Sequence, residues 1–173
     1  MRVVAGEFGG RRLHSPRGVR TRPTADRVRE ALFSMLGDVS GARVLDLCAG
    51  SGALGIEALS RGARSVVFVE REPRAAAVIE RNLASLGVEQ TVVRQDAVRF
   101  LARAEGMFDL VLCDPPYDSA SRLAEPLAER LPAITADHAR IVTESDKRMP
   151  LQLPFTLVTE RTYGDTRIAI HAR

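Results

Sequence analysis

The chain has 173 residues, of which 45% are hydrophobic and 27% are charged, a composition typical of one globular domain with its own core. No apolar run approaches the ~20 residues that a membrane span needs, and the first residues lack the layout of a signal peptide, so we expect a cytoplasmic protein. Both cysteines, Cys48 and Cys113, lie in apolar runs, and we interpret them as buried thiols, not as a disulfide or metal site.

Basic residues concentrate at the front of the chain. The net charge is +3, whereas the first 36 residues hold eight arginines against three acidic residues, a surplus of five. Such a patch suits phosphate backbones, although 24 of the 25 basic residues are arginine and a merely solvated face is the alternative. The arginines that we expect to contact RNA are Arg2, Arg11, Arg12, Arg17 and Arg20.

The first elements are short and rich in turn residues. β-Prone runs at Arg2–Ala5 and Arg11–Leu13 flank a glycine-containing turn and predict a hairpin, which a proline- and arginine-rich connector follows. Thr24 is a candidate N-cap for a helix that continues at helical spacing to Leu36 and stops at Gly37. We therefore expect a basic β-hairpin extension over residues 1–22 and a catalytic domain over residues 23–173.

From Ala42 onward, apolar strands alternate with helical patterns, which predicts an α/β fold with a mostly parallel sheet covered by helices on both faces. The last two strands are separated by Tyr163-Gly164-Asp165 and predict an antiparallel hairpin at the sheet edge. The predicted strands are Val44–Leu47, Val66–Glu70, Thr91–Arg94, Phe108–Cys113, Arg140–Thr143, Phe155–Thr162 and Arg167–His171, and the predicted helices are Ala53–Ser60, Pro73–Leu86, Val98–Ala104 and Arg122–Leu131.

A glycine loop follows the first strand of this sheet. Gly50, Gly52 and Gly55 satisfy the G-x-G-x-x-G spacing in a strand–loop–helix setting, where the backbone can approach a ligand closely. Glu70 ends the second strand, twenty residues after Gly50, where a carboxylate can accept both hydroxyls of a ribose. The pattern predicts a nucleoside cofactor but does not separate a nicotinamide dinucleotide from S-adenosylmethionine.

Two further acids favour S-adenosylmethionine. Asp46, four residues before the first loop glycine, can face the ammonium of a methionine moiety and would sit poorly near a pyrophosphate. Asp96 follows the third strand, where it can accept the adenine amino group and also cap the next helix. The full set of candidate cofactor residues in this domain is Asp46, Ala49, Gly50, Ser51, Gly52, Gly55, Glu70, Arg71, Asp96 and Ala97.

The tetrapeptide Asp114-Pro115-Pro116-Tyr117 follows the fourth strand and is the candidate catalytic motif. Strands one and four are expected to flank the central crevice, where open parallel sheets bind ligands. The Asp114 carboxylate and the Pro115 carbonyl can accept the N–H bonds of an exocyclic amine, and Tyr117 offers a face on which an extruded base can stack. Asp114 is expected to orient the amine, and whether it also takes the proton stays open. No metal cluster is expected, and Cys113 is interpreted as a packed strand residue.

Together these motifs resemble the class I methyltransferases that act on amino groups. Two front segments, Arg2-Val3-Val4-Ala5-Gly6 with Gly10-Arg11-Arg12-Leu13 and Thr21-Arg22-Pro23-Thr24-Ala25-Asp26 onward, make the chain similar to the RsmD family. Members methylate the exocyclic N2 of one guanine, position 966, in bacterial 16S ribosomal RNA. The resemblance covers essentially the whole chain.

The resemblance implies features that composition and spacing do not. It implies a seven-stranded sheet with an antiparallel last strand and an N-terminal hairpin that engages RNA. It also implies that Thr21, Arg22, Pro23 and Thr24 close over the methionine end of S-adenosylmethionine, with Arg22 placed to pair with its carboxylate. The small ribosomal subunit, partly assembled, is the implied substrate, and we expect a monomer.

Three alternatives remain at this point. The same cofactor and tetrapeptide serve enzymes that methylate adenine N6 in DNA or RNA, or a glutamine amide in protein. The glycine spacing alone favours a nicotinamide-dependent oxidoreductase, in which Asp46 and the tetrapeptide would have no role. The basic front alone favours an RNA-binding or assembly factor, which gives no reason for a cofactor loop.

Overall fold

The computed structural model describes residues 1–16, 26–116 and 120–173. Within them the chain runs through five helices and seven strands, with no helix long and apolar enough to cross a membrane. The helices are α1 (Asp26–Leu36), α2 (Ala53–Ser60), α3 (Pro73–Leu86), α4 (Ala97–Arg103) and α5 (Ala120–Ile134). The strands are β1 (Arg43–Leu47), β2 (Ser65–Val69), β3 (Thr91–Val93), β4 (Phe108–Cys113), β5 (Thr135–Asp146), β6 (Thr156–Tyr163) and β7 (Thr166–Ala172).

The strands form one sheet in the order β3-β2-β1-β4-β5-β7-β6. Neighbours from β3 through β5 are parallel, whereas β7 runs antiparallel to both β5 and β6. The predicted parallel sheet, the antiparallel last strand and the edge hairpin are therefore confirmed. Because the strand order reverses at β1, the carboxyl ends of β1 and β4 lie side by side, with Leu47 paired to Cys113. Ligands bind at this position in open α/β sheets.

Each face of the sheet carries its own apolar core. The first core packs α1, α2 and α3 on the sheet, through residues such as Phe33, Ile56 and Ile79. The second core packs α4 and α5 on the opposite face, around Leu101 and Leu127. Val44 of β1 packs in the first core, whereas Leu45 and Leu47 pack in the second, so the strand is buried on both faces, with Asp46 as a buried acid within it.

Two elements, α5 and β5, exceed their predicted lengths by five residues or more. Helix α5 spans Ala120–Ile134, against a prediction of Arg122–Leu131, and it contains Pro126 and Pro132. Strand β5 spans twelve residues, against four predicted, because polar segments extend it at both ends: Thr135 pairs with Phe108 of β4, and the last residues pair with β7 as far as Asp146. An apolar run was the only signal used for strands, and a polar segment held by antiparallel pairing does not produce one.

The first sixteen residues, here called the N-terminal arm, lie on the face that α2 and α3 cover. Arg2 and Arg12 form a single antiparallel bridge, beside a hydrogen bond of 2.9 Å from the Val3 N–H to the Arg11 carbonyl. The Leu13 N–H also donates to the Met1 carbonyl at 3.1 Å, and the Gly10 N–H donates to the Val3 carbonyl at 2.9 Å, so the two ends of the arm run antiparallel without forming regular strands. Val3, Phe8 and Leu13 are buried in the first core, so the arm is packed as part of the domain.

Candidate cofactor and base-binding site

The glycine loop, residues 48–52, joins the carboxyl end of β1 to the start of α2. It is tied to the neighbouring strand by a hydrogen bond of 3.1 Å from the Ala49 N–H to the Val69 carbonyl. Within the loop, the Gly52 N–H donates to the Ala49 carbonyl at 2.7 Å, and Gly52 caps α2 with a φ of 78°. A left-handed residue here makes the turn tight enough to bring the first N–H groups of α2 toward the crevice.

The third glycine of the motif has a packing reason. A Cβ at Gly55 would lie 2.3 Å from the Phe68 ring and 2.9 Å from Asp46 Oδ2. Neither neighbour can retreat, since Phe68 and Asp46 are themselves buried in the sheet. Gly55 therefore lets α2 lie directly on β1 and β2. This close packing sets the distance between the glycine loop and the ends of the strands.

Asp46 is a buried acid beneath this loop. Its side chain is 1% exposed, and Oδ2 accepts a hydrogen bond of 2.9 Å from the Gly55 N–H. Burial raises the pKa of Asp46 to about 7, against the lowering effect of the Gly55 hydrogen bond, and the charge of Glu70 adds to the rise. A cation bound nearby would stabilise the carboxylate. The predicted contact with a ligand ammonium stays a prediction.

Glu70, at the end of β2, bonds the glycine loop. Its Oε2 accepts the Gly50 N–H at 2.8 Å, and its Oε1 accepts the Glu72 N–H at 2.8 Å. Each carboxylate oxygen keeps a second lone pair, so these bonds leave acceptor capacity for hydroxyl groups. The ribose contact expected of Glu70 is therefore chemically open and stays a prediction. Arg71, the next residue, is exposed.

Asp96 caps α4, as the sequence predicted. Its Oδ1 accepts from the Val98 N–H at 3.0 Å and from the Arg99 N–H at 3.4 Å, and Ala97 behind it is buried. The cap holds the carboxylate at the carboxyl end of β3, the side of the sheet where the glycine loop lies. An adenine contact stays a prediction.

The candidate catalytic motif begins directly after β4. Asp114 is half-buried, Pro115 is buried and Pro116 is exposed, while Tyr117 lies outside the described residues. Since Cys113 pairs with Leu47, the motif leaves the sheet beside the start of the glycine loop.

One side chain shows that the predicted acids converge. Cys48, the first loop residue, has a pKa raised to about 12, chiefly by burial and further by the negative charges of Glu70, Asp114, Asp46 and Asp96. Those four carboxylates come from the ends of four different strands, and all lie near enough to act on one sulfur. A concentration of negative charge at the switch point suits a ligand that carries positive charge.

The loop contains a backbone feature that the sequence did not predict. Cys48 has a φ of 61°, the only positive value found for a non-glycine residue in the described part of the chain. Left-handed backbone at a residue with a Cβ costs roughly 1–3 kcal/mol and recurs at functional sites. The turn from β1 into the loop is thus held in a strained conformation by its surroundings.

The predicted basic front is divided between surface and interior. Arg2 is exposed beside Asp26 at 3.4 Å, Arg12 is exposed, and the exposed Arg11 donates to the Ser85 carbonyl at 2.7 Å. Arg29 was counted in the basic surplus but is 0% exposed, so it adds nothing to a surface patch.

Arg29 instead belongs to a buried ion network that the sequence analysis missed. It lies 3.0 Å from Asp26 and 3.6 Å from Glu57, which is also fully buried. Arg29 and Glu57 share one sequence signal: each is a charged residue on an otherwise apolar helix face.

Several other predicted residues lie outside the described part of the chain. They are Arg17 and Arg20 of the basic set, and Thr21, Arg22, Pro23 and Thr24 of the cofactor set.

Known proteins resemble the whole chain. The family model described as "Conserved hypothetical protein 95" matches residues 1–172. The Bacillus subtilis (strain 168) protein YlbH is 38% identical over an alignment that spans 100% of this chain and 99% of YlbH. The Haemophilus influenzae protein named ribosomal RNA small subunit methyltransferase D is 35% identical, covering 95% of this chain and 89% of its own length. The solved structure of Escherichia coli yhhF has a TM-score of 0.87 at 33% identity, with 100% of this chain and 97% of that chain covered.

Proposed function

This chain belongs to the RsmD family of methyltransferases, and we propose that it methylates the exocyclic N2 of a guanine in small-subunit ribosomal RNA. The methyl donor in this proposal is S-adenosylmethionine. The observation that carries it is the position of Asp114-Pro115-Pro116, directly after β4 and beside the glycine loop, where an amine acceptor and a nucleoside cofactor can meet.

The residues present fit a sulfonium cofactor. Four carboxylates converge around Cys48, and the buried Asp46 has a pKa that a nearby cation would lower again. In this proposal Asp46 faces the ammonium of the methionine moiety, Glu70 accepts the ribose hydroxyls and Asp96 accepts the adenine amino group. S-adenosylmethionine supplies a methyl group already activated on a cationic sulfur.

Catalysis by this chain then rests mainly on positioning. A guanine N2 is a poor nucleophile because its lone pair is delocalised into the base. The Asp114 carboxylate and the Pro115 carbonyl accept its two N–H bonds, which turns the lone pair toward the methyl group. When the nitrogen takes the methyl group, the S–CH3 bond of the donor breaks and S-adenosylhomocysteine is left. The nitrogen then loses one proton, either to Asp114 or to solvent. Tyr117 is proposed to stack on the extruded base.

RNA is proposed to bind along the extension formed by residues 1–22, which precedes the catalytic domain over 23–173. The exposed Arg2, Arg11 and Arg12 support this, because guanidinium groups suit phosphates. The relative from Haemophilus influenzae carries small-subunit ribosomal RNA in its name, which supports the same substrate and a cytoplasmic location.

The motif is tested by Asp114→Ala and Asp114→Asn in a methyl-transfer assay on small subunits from cells that lack this methylation. Both variants are expected to lose at least ~100-fold in kcat while cofactor affinity changes by less than ~3-fold, since Asp114 orients the acceptor. Glu125→Ala, which removes an exposed acid from α5, the helix after the motif, is the matched control and is expected to retain activity. Full activity in Asp114→Ala would refute the assigned role.

A further inference from the structure

Asn82 is a buried side chain on α3 that the proposed reaction does not use. It is 0% exposed. Its Oδ1 accepts the His14 N–H at 2.8 Å, and its Nδ2 donates to the His14 carbonyl at 3.1 Å and to the Ser51 carbonyl at 3.0 Å. One amide thus satisfies three backbone groups, which belong to two segments far apart in sequence.

The two segments are the glycine loop and the N-terminal arm. Ser51 lies between Gly50 and Gly52, so a hydrogen bond to its carbonyl holds the glycine loop in place. Helix α3 supports the loop at a second point, because a Cβ at Gly52 would lie 3.2 Å from the Ile79 side chain, one turn before Asn82. His14 lies near the end of the arm.

The front of the arm is attached mainly to α2. Glu57 accepts the Val4 N–H at 2.7 Å and the Ala5 N–H at 3.0 Å. The Ser60 hydroxyl accepts the Phe8 N–H at 2.9 Å. These bonds keep the front of the arm in place independently of Asn82. The arm and the loop also meet where the Ser51 hydroxyl donates to the Met1 sulfur at 3.9 Å, a long and weak contact. Among the described residues, the Asn82 amide supplies the shorter side-chain hydrogen bonds that join arm and loop.

We propose that Asn82 is a positioning residue that couples the N-terminal arm to the glycine loop, so that seating of the arm and binding of the cofactor stabilise each other. The inference rests on the proposed function for the identity of the cofactor and for the role of the arm in RNA engagement. Coupling of this kind is reciprocal, because each partner must change the other's equilibrium by the same factor.

Three variants separate positioning from simple stability. Asn82→Ala removes all three bonds. Asn82→Asp keeps an acceptor for the His14 N–H but loses the donor to the two carbonyls. Leu83→Ala, the next residue on α3 and also buried, weakens the first core and leaves the three Asn82 hydrogen bonds to arm and loop in place. Binding of S-adenosylhomocysteine is measured by calorimetry on the full chain, well below the melting temperature of each variant.

The first expected result is an increase in the dissociation constant of at least ~5-fold for Asn82→Ala and Asn82→Asp, against less than ~2-fold for Leu83→Ala. Equal increases in Asn82→Ala and Leu83→Ala would overturn the proposal, since a general loss of stability would explain both.

The second measurement uses the native chain and does not depend on a variant folding. Hydrogen exchange of the His14 amide is expected to slow at least ~5-fold when S-adenosylhomocysteine is added, and Asn82→Ala is expected to abolish that effect. Unchanged exchange in the native chain with ligand bound overturns the coupling while the proposed function stands. No binding of S-adenosylhomocysteine to the native chain overturns the proposed function and the coupling together.

Discussion

At the scale of single residues, the site is a set of acids held by backbone groups. Asp46, Glu70 and Asp96 each accept at least one backbone N–H, and these bonds fix the carboxylates before any ligand binds. Holding a carboxylate in a buried position lowers the stability of the folded protein, because the charge loses its hydration. The cost is clearest at Asp46, whose pKa is raised to about 7 by burial.

The raised pKa predicts that Asp46→Asn stabilises the cofactor-free protein at high pH. The folded state binds more protons than the unfolded state between the ordinary value of 3.8 and about 7. Stability therefore falls as pH rises through that window, and above it the buried charge destabilises in full. Asn keeps an oxygen acceptor for the Gly55 N–H without the charge. We expect a gain on the order of 1–3 kcal/mol at pH 8 and a smaller gain at pH 5.

Urea unfolding at the two pH values measures this difference. Calorimetry with S-adenosylhomocysteine on the same variant is expected to show weaker binding, because the charge that opposes the ligand ammonium is gone. A gain in stability that is equal at pH 5 and pH 8 would contradict the assignment of the titration to Asp46.

At the scale of elements, helix α2 explains how the arm and the loop come to share a support. All eight of its residues are buried, since the sheet covers one side and the N-terminal arm covers the other. The glycine loop leads into the first residue of α2, and the N-terminal arm lies along this helix. Glu57 accepts two N–H groups of the arm and pairs with Arg61 at 2.8 Å. A buried acid on α2 is therefore the anchor of a neighbouring segment.

Close contact between arm and helix predicts that Gly6→Ala destabilises far more than Gly10→Ala. Both glycines have a φ near +80°, so both variants carry the same left-handed strain, roughly 1 kcal/mol. A Cβ at Gly6 would lie 1.8 Å from the Ser60 carbonyl oxygen, whereas a Cβ at Gly10 would meet nothing within 4 Å. We expect Gly6→Ala to lower the free energy of unfolding by at least ~2 kcal/mol more than Gly10→Ala. Similar losses by chemical denaturation would show that the arm does not rest on α2.

At the scale of the whole molecule, regular patterns were predictable and long-range polar contacts were not. The alternation of apolar strands with helices predicted the parallel sheet because those signals are local. The position of β1 beside β4 was expected from the general layout of open parallel sheets and is confirmed. Arg29 was misjudged as part of a surface patch because its burial depends on Glu57, 28 residues away. Asn82 was missed for the same reason, since its partners are two backbone segments that no spacing rule connects.

The distribution of exposed charge over the molecule predicts where RNA binds. Replacing Arg11 and Arg12 by Ala is expected to lower RNA affinity and to reduce its salt dependence by about 0.7 log units per lost phosphate contact on a single strand. The matched control is Arg148→Ala with Arg161→Ala, which removes the same charge from exposed positions near the last hairpin. Equal salt slopes for the two double variants, measured by fluorescence anisotropy, would place the RNA elsewhere.

The central claim is that this chain methylates a guanine N2 in small-subunit ribosomal RNA. The most direct measurement supplies labelled S-adenosylmethionine with small subunits from unmodified cells, bare ribosomal RNA and duplex DNA in parallel, followed by mass spectrometry of the nucleosides. The account predicts N2-methylguanosine from the subunit or its RNA, and none when Asp114 is replaced by Ala. Label found only in DNA, in N6-methyladenosine or in protein would contradict the substrate, and no label in any of them would contradict the activity itself.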